Sequence, residues 1–190
     1  NDVARLTDLN ADVMNGKLDG NLAIALDDRT RSDIDVNFNN LDLSKLIALQ
    51  SGRVIPLQGQ TSGTAKLSYP GGDWNRATGN IDARIVANAG DDAATAIPIN
   101  GNVAVNATDG LFNIANLDLK TDKSSVTGSG IFDLRSDKSD LTLALRSTDG
   151  GEVQRLVEVS GVSPSIDEQL RSMEIELAGN LTFDAKLTGN

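Results

Sequence analysis

The stretch GNLAIAL at residues 20–26 contains the pattern that decides the fold of this chain. In it, Leu22, Ile24 and Leu26 alternate with two alanines. Successive side chains of a β-strand point to opposite faces, so the alternation predicts a strand with one large apolar face and one small or polar face. The Gly-Asn start returns in three further segments: GNIDARI at 79–85, GNVAVNA at 101–107 and GNLTFDA at 179–185.

Alternating runs of this kind recur along the chain. Their apolar members are Ile34, Val36 and Phe38; Val103 and Val105; Leu141, Leu143 and Leu145; Ile175 and Leu177; and Leu181, Phe183, Ala185 and Leu187. Clusters of Gly, Pro, Asn, Asp and Ser separate the runs and indicate turns, as at 69–75 and 108–110. Short one-sided strands predict an antiparallel all-β fold, because the strands of a parallel sheet are apolar on both faces.

Three other stretches have apolar residues at helical spacing, and we expect short amphipathic helices there. These stretches are 43–49, 152–159 and 163–173. The order strand, helix, Ser-Gly and strand occurs twice, which predicts a weak internal repeat between 34–69 and 141–187. The chain opens on Asn and ends on the recurrent Gly-Asn pair, so residues 1–190 are interpreted as one β segment of a longer, repetitive protein.

The recurrent Gly-Asn pair has two interpretations. Gly tolerates positive φ and Asn is the next most tolerant residue, so the pair suits a hairpin turn or a bend inside a strand. Four independent hairpin turns would imply nothing about the shape of the sheet or about function. Bends in line, one per strand, would curl the sheet into a trough. Only 3% of residues are aromatic, so the apolar faces carry mainly aliphatic side chains, which can pack on another sheet or line a groove for acyl chains.

Composition argues against several classes of function. The 190 residues carry a formal net charge of −10, which disfavours binding to nucleic acid or to anionic lipid headgroups. There is no Cys and no His, so thiolate nucleophiles, disulfides, the commonest general base and the commonest transition-metal ligand are all missing. No apolar run in the sequence approaches the roughly 20 residues that span a bilayer.

No group of residues predicts catalysis or metal binding. The run DIDVN at 33–37 matches the first positions of a calcium loop, but Phe38 and Ser44 stand where Gly and Glu are required. Glu174 and Glu176 share the polar side of a predicted strand, which is typical of solvated carboxylates. We therefore expect no enzyme activity, no metal site and no cofactor.

Residues 41–87 resemble the TamB/AsmA-like proteins of the diderm bacterial envelope. The segment reads LDLSKLIALQSGRVIPLQGQTSGTAKLSYPGGDWNRATGNIDARIVA. It has the texture of their repeats: a Leu-rich short helix, Gly-x-x-x-Gly with alternating apolar residues, a turn containing Pro, and a Gly-x-Ile start. Residues 101–134 and 174–190 share this texture. The resemblance implies a mainly antiparallel, curved and elongated sheet that forms a U-shaped hydrophobic groove, the "β-taco".

The resemblance also implies a function. Proteins of this family are anchored in the inner membrane, cross the periplasm and are thought to carry phospholipid acyl chains towards the outer membrane, and TamB partners with an outer-membrane barrel assembly factor. By resemblance, the chain is a periplasmic segment of a lipid conduit in outer membrane biogenesis. Its expected partner is a phospholipid or another acyl-chain lipid and not nucleic acid, and an isolated copy can hide its open face by forming a homodimer.

The expected groove is lined by the large apolar members of the alternating runs. These are Leu22, Ile24, Leu26, Ile34, Val36, Phe38, Leu67, Ile81, Ile85, Val103, Val105, Leu141, Leu143, Leu145, Ile175, Leu177, Leu181 and Phe183. Moving acyl chains from water onto such a lining contributes about 0.8 kcal/mol per CH₂ group. The alternative function is a structural or adhesive β-repeat module, whose apolar faces would be packed inside the protein.

Overall fold

The computed structural model describes residues 2–51, 57–88, 96–133, 139–160 and 176–189. In chain order, the elements are β1 (Val3–Val13), β2 (Gly16–Ala25), β3 (Arg31–Asp42), α1 (Leu43–Ser51), β4 (Leu57–Gln58), β5 (Gln60–Pro70), a 3₁₀ helix (Trp74–Arg76), β6 (Thr78–Val86), β7 (Ile97–Pro98), β8 (Asn100–Thr108), β9 (Leu111–Lys120), β10 (Ser124–Asp133), β11 (Asp140–Ser147), α2 (Gly150–Ser160) and β12 (Leu181–Thr188). The third predicted helix, at 163–173, lies outside the described residues.

Ten of the strands form one antiparallel sheet in the order β1-β2-β3-β5-β6-β8-β9-β10-β11-β12. The short strands β4 and β7 pair separately and in parallel. The predicted all-β, mainly antiparallel fold with short helices is confirmed, and the sheet is open, with β1 and β12 at its edges. In the described part of the chain, no helix is both long and apolar enough to cross a membrane.

Both α-helices leave the sheet at the same end. Neighbouring strands run in opposite directions, and α1 follows β3 whereas α2 follows β11, the third and the ninth strands of the sheet. We call this the helical end. The side chain of Asp42 caps α1, because its Oδ1 accepts from the backbone N of Ser44 at 3.0 Å and from the Ser44 hydroxyl at 2.6 Å.

An extra residue interrupts the otherwise regular ladder in three strands, β1, β3 and β9. In β1 and β3, Asp8 and Asn40 both have φ +54°, and the pairing shifts beside each of them. The Oδ1 atom of Asn21 accepts from the displaced backbone N of Asp8 at 3.1 Å. The third extra residue lies in β9 between Ile114 and Leu117, which pair with Gly130 and Gly128 of β10. Bulges of this kind bend a strand and increase its twist.

The buried core is small and lies at the helical end. Leu43 of α1, Ile85 of β6 and Ile99 after β7 form its centre and are each less than a tenth exposed. The partly buried residues packed against them are Ile47, Leu57 and Leu119. Thus α1 and the segments around β4 and β7 cover one patch of the large sheet.

An apolar sheet face as the candidate functional site

The pairing register places apolar side chains from all ten strands of the large sheet on one side. Residues that pair directly across antiparallel strands share a face. One row of such pairs crosses the whole sheet and consists of Leu9, Gly20, Val36, Ala65, Ile81, Val105, Ile114, Gly130, Leu141 and Leu187. We call this side the apolar face.

The opposite side, which we call the polar face, has the contrary character. One of its rows consists of Asn21, Asp35, Lys66, Asn80, Asn106, Asn113, Ile131, Asp140 and Thr188. Ion pairs join neighbouring strands on this side, such as Lys66 with Asp35 at 3.3 Å. Both side chains of that pair are more than half exposed, so the pair contributes little to stability. The two sides of the sheet therefore differ in chemistry, and only the polar face is suited to contact with water.

The apolar face is most exposed on the two edge strands of the sheet, β1 and β12. Leu6 is 54% exposed, Phe183 56% and Leu187 52%. Large members of the face on inner strands are more buried, with Val36 6% and Ile85 7% exposed. Soluble monomers rarely expose contiguous apolar patches larger than a few hundred Å². Exposed apolar side chains that share one side of a sheet are candidates for a binding surface or an interface.

Every predicted lining residue that belongs to a described strand lies on the apolar face. These residues are Leu22, Ile24, Ile34, Val36, Phe38, Leu67, Ile81, Ile85, Val103, Val105, Leu141, Leu143, Leu145, Leu181 and Phe183. Ile175 lies outside the described residues. The structure thus brings most of the predicted set together, and Leu26 and Leu177 are the exceptions.

Leu26 lies beyond the end of β2 and is 70% exposed. The strand ends there because Asp27 starts a turn, in which its Oδ1 accepts from the backbone N of Thr30 at 2.7 Å and of Arg29 at 2.8 Å. These backbone hydrogen bonds, that of Thr30 first, hold the pKa of Asp27 below its ordinary value. The strand predicted from the alternation is therefore one residue too long.

Leu177 is not part of a strand, so the strand predicted around it is wrong at this residue. Its backbone N donates to Oε1 of Gln154 in α2 at 2.8 Å. Backbone groups of a strand would bond to a neighbouring strand instead. The contact with α2 has replaced strand pairing at this position.

Sequence reasoning missed the apolar residues of β1 and β9. In β9, Phe112 and Ile114 are followed by Leu117 and Leu119, so the spacing jumps from two to three. The pairing shifts at the same place, and all four residues remain on the apolar face. The jump is a signal in the sequence itself, because one extra residue returns the alternation to the original face.

Glycines mark places where neighbouring strands approach closely on the apolar face. A Cβ atom on Gly20 would lie 2.1 Å from the carbonyl oxygen of Asp35, and one on Gly79 would lie 1.9 Å from that of Lys66. Gly63, Gly101 and Gly130 meet carbonyl oxygens of adjacent strands at similar distances. No L side chain fits at such an approach, so these positions require glycine.

The Gly-Asn pairs are neither hairpin turns nor an aligned set of bends. Gly20, Gly79 and Gly101 lie inside strands, and Gly179 lies in the segment before β12. Gly20 pairs with Val36 and Gly79 pairs with Ala107, so the two occupy different cross-strand rows. The hairpin interpretation is therefore wrong at these three glycines, and the predicted alignment of bends is not observed. The glycines do share one face of the sheet.

A polar cluster fixes the first turn of α2 at the helical end. Glu152 is 6% exposed, and its Oε1 lies 2.5 Å from the hydroxyl oxygens of both Thr121 and Ser124. Beside it, Nζ of Lys123 lies 2.9 Å from Oδ2 of Asp149. This hydrogen-bonded pair lowers the pKa of Asp149 and raises that of Lys123. The cluster anchors a helix and involves no activated nucleophile.

Among the residues that the structure describes, no group of three or more acidic side chains is placed to hold a metal ion. No family model, no curated protein and no solved structure matches the chain. The resemblance to TamB/AsmA-like proteins therefore rests on the sequence alone. The function has to be argued from the apolar face.

Proposed function

We propose that the chain binds the acyl chains of lipids along its apolar face, as one segment of a periplasmic lipid conduit. The observation that supports this proposal is the uninterrupted apolar row across ten strands, from Leu9 in β1 to Leu187 in β12. A sheet with both faces in contact with water would carry polar residues along this row. The bacterial envelope, the inner-membrane anchor and the outer-membrane partner come from the resemblance and belong to the proposal.

The free energy of transfer from water to such a face favours binding of an acyl chain. Each CH₂ group that leaves water for the face contributes about 0.8 kcal/mol. Strands lie about 4.8 Å apart, so the ten-stranded row spans about 43 Å across its nine intervals. Successive strands offer aliphatic side chains of similar size, so an acyl chain that slides from strand to strand meets little change in free energy.

The proposal includes a sheet that curves towards its apolar face to form a groove. Close approach of neighbouring backbones at Gly63 and Gly79 supports curvature on that side, because side chains there would hold the strands apart. The bulges beside Asp8 and Asn40 support it too, since they bend β1 and β3. A groove would shelter acyl chains from water along their length.

A titration with a fluorescent fatty acid tests the proposal. The wild-type chain is expected to bind the probe saturably. Leu143→Asp, which places a carboxylate on the apolar face, is expected to weaken binding at least tenfold, about 1.4 kcal/mol or more. The matched control is Thr142→Asp in the same strand, whose side chain lies on the polar face and is exposed. That variant is expected to bind like the wild type.

The same variants separate the two functions. Far-UV circular dichroism and sedimentation velocity show whether each variant remains folded and how many copies associate. Absence of probe binding by the wild type, together with unfolding of Leu143→Asp, would contradict the lipid proposal. That result would favour the structural or adhesive module, in which the apolar face is a packed interior.

A further inference from the structure

Among the described residues, the outer edge of β12 is regular and has no strand beside it. No described strand pairs with it, and on its inner side β12 pairs with β11 residue by residue over its full length without a register shift. Such an edge presents a row of unpaired backbone N–H and C=O groups, which is a template for another strand. Edges of this kind are normally blunted or paired.

The opposite edge of the sheet is blunted, which makes the contrast informative. In β1 the register shifts between Leu6 and Leu9, and Asp8 between them has φ +54°. The backbone N of Asp8 is bonded inward to the side chain of Asn21. A bulge twists an edge away from regular pairing. Within the described residues, the edge at β1 is therefore irregular, whereas the edge at β12 is regular and unpaired.

The side chains of β12 are complementary to those of a second, antiparallel copy of the same strand. The strand reads LTFDAKLT, and Ala185 is the centre of the complementarity. Antiparallel pairing of two copies about Ala185 places Asp184 of one copy opposite Lys186 of the other, twice. It also places Phe183 opposite Leu187, twice, and these side chains are 56% and 52% exposed in the single chain. Opposite charges and large apolar pairs both stabilise antiparallel strands.

We propose that two copies of this chain associate through β12, around a two-fold axis that is perpendicular to the sheet and passes midway between the two Ala185 residues. This symmetry makes the strands antiparallel and keeps both apolar faces on the same side, so the two ten-stranded sheets become one continuous sheet. The association does not depend on lipid binding, because the edge and its charges exist without a ligand. If lipid does bind, the dimer doubles the length of the apolar surface.

The charges of β11 extend the complementarity. Within one chain, Arg146 lies 2.8 Å from Asp184, and Asp140 lies 3.3 Å from Lys186. The dimer places the partner's Lys186 on the free side of Asp184. The resulting ladder alternates in sign, from Arg146 through Asp184 to the partner's Lys186 and the partner's Asp140. Asp184 and the partner's Lys186, the two inner charges, then each have an opposite charge on both sides, which a shifted register would not give.

Charge reversal tests the interface by sedimentation equilibrium of the full chain. Asp184→Lys and Lys186→Asp each place like charges opposite one another at both symmetric sites, so each variant alone is expected to raise the dimer dissociation constant at least tenfold. A mixture of the two variants is expected to recover the wild-type constant within about threefold, because the heterodimer again pairs opposite charges. Arg5→Asp in β1 is the matched control and is expected to dimerise normally.

A cysteine cross-link tests the register. The chain has no Cys, and Ala185 is the only β12 position that would meet its own counterpart. Ala185→Cys is expected to form disulfide-linked dimers on oxidation, whereas Thr188→Cys alone is not, and Thr188→Cys mixed with Thr182→Cys is expected to do so. A monomer at all concentrations, an open-ended series of oligomers through β1, or a dimer indifferent to both charge reversals would overturn the proposal.

Discussion

Two isoleucines of the apolar face lie in different surroundings, although the alternation places them there in the same way. Ile85 is 7% exposed, because Leu43 and Ile99 cover it at the helical end. Ile24, on the second strand of the sheet, is 38% exposed. The covered patch therefore supplies packing, and the open part supplies surface. The difference teaches that apolar patterning selects a face, whereas the segments laid on that face decide what is core.

The largest effect should come from a charge placed in each region. Ile85→Asp buries a carboxylate in the core and is expected to lower the free energy of unfolding by about 4 kcal/mol or more. Ile24→Asp, where water still reaches the side chain, should cost about 1 kcal/mol. Urea unfolding followed by circular dichroism measures both. Equal losses in the free energy of unfolding would mean that both regions are equally covered, and would contradict the distinction between core and open face.

The second largest loss of stability should come from a steric clash with the backbone and not from lost side-chain packing. At Gly63 a Cβ atom would lie 1.9 Å from the carbonyl oxygen of Asp82, so Gly63→Ala must push β5 and β6 apart. We expect a loss of about 2–3 kcal/mol in the same urea assay. Gly72→Ala is the control, since no atom lies within 4 Å of its added methyl group, and it should change stability by less than about 0.5 kcal/mol.

A smaller loss of stability is expected at α2, which is anchored by polar contacts, whereas α1 is anchored by apolar packing. Leu43 packs α1 into the core, whereas hydroxyl groups of Thr121 and Ser124 bond the carboxylate of Glu152 at the start of α2. Glu152→Gln keeps the acceptor oxygen but loses its charge, which should cost about 1 kcal/mol locally. Amide hydrogen exchange over 151–156 should then quicken about fivefold, a factor equivalent to that energy. Glu176→Gln, at an exposed residue, should leave the exchange rates unchanged, and unchanged rates in Glu152→Gln would refute the anchor.

Sequence patterning predicted five of the strands and both α-helices because their signals are local. The alternation in β2, β3, β8, β11 and β12 and the helical spacing in α1 and α2 were sufficient to place them. It failed at β9, where a bulge breaks the alternation between Ile114 and Leu117. It failed again at Leu177, where a hydrogen bond to α2 replaced strand pairing. Both failures arise where a neighbouring element, and not the segment itself, sets the backbone.

The role of the recurrent Gly-Asn pair shows the same limit. The sequence displays the repetition, but the requirement for Gly20 comes from the carbonyl oxygen of Asp35 on the next strand. The partner of Asn21 is likewise a backbone group of another strand, the N–H of Asp8. Neither neighbour is adjacent in the chain, so no local rule identifies it.

The sequence by itself determined which side of each predicted strand is apolar, because side chains alternate with a period of two whatever the strand pairs with. The tertiary structure decided that the apolar sides of all ten strands coincide, since coincidence depends on register and on bulges that restore the phase. It also decided that Ile85 is covered while Ile24 is open. Covering depends on where α1 and the chain around β7 return to the sheet, and that is fixed by contacts between residues far apart in sequence.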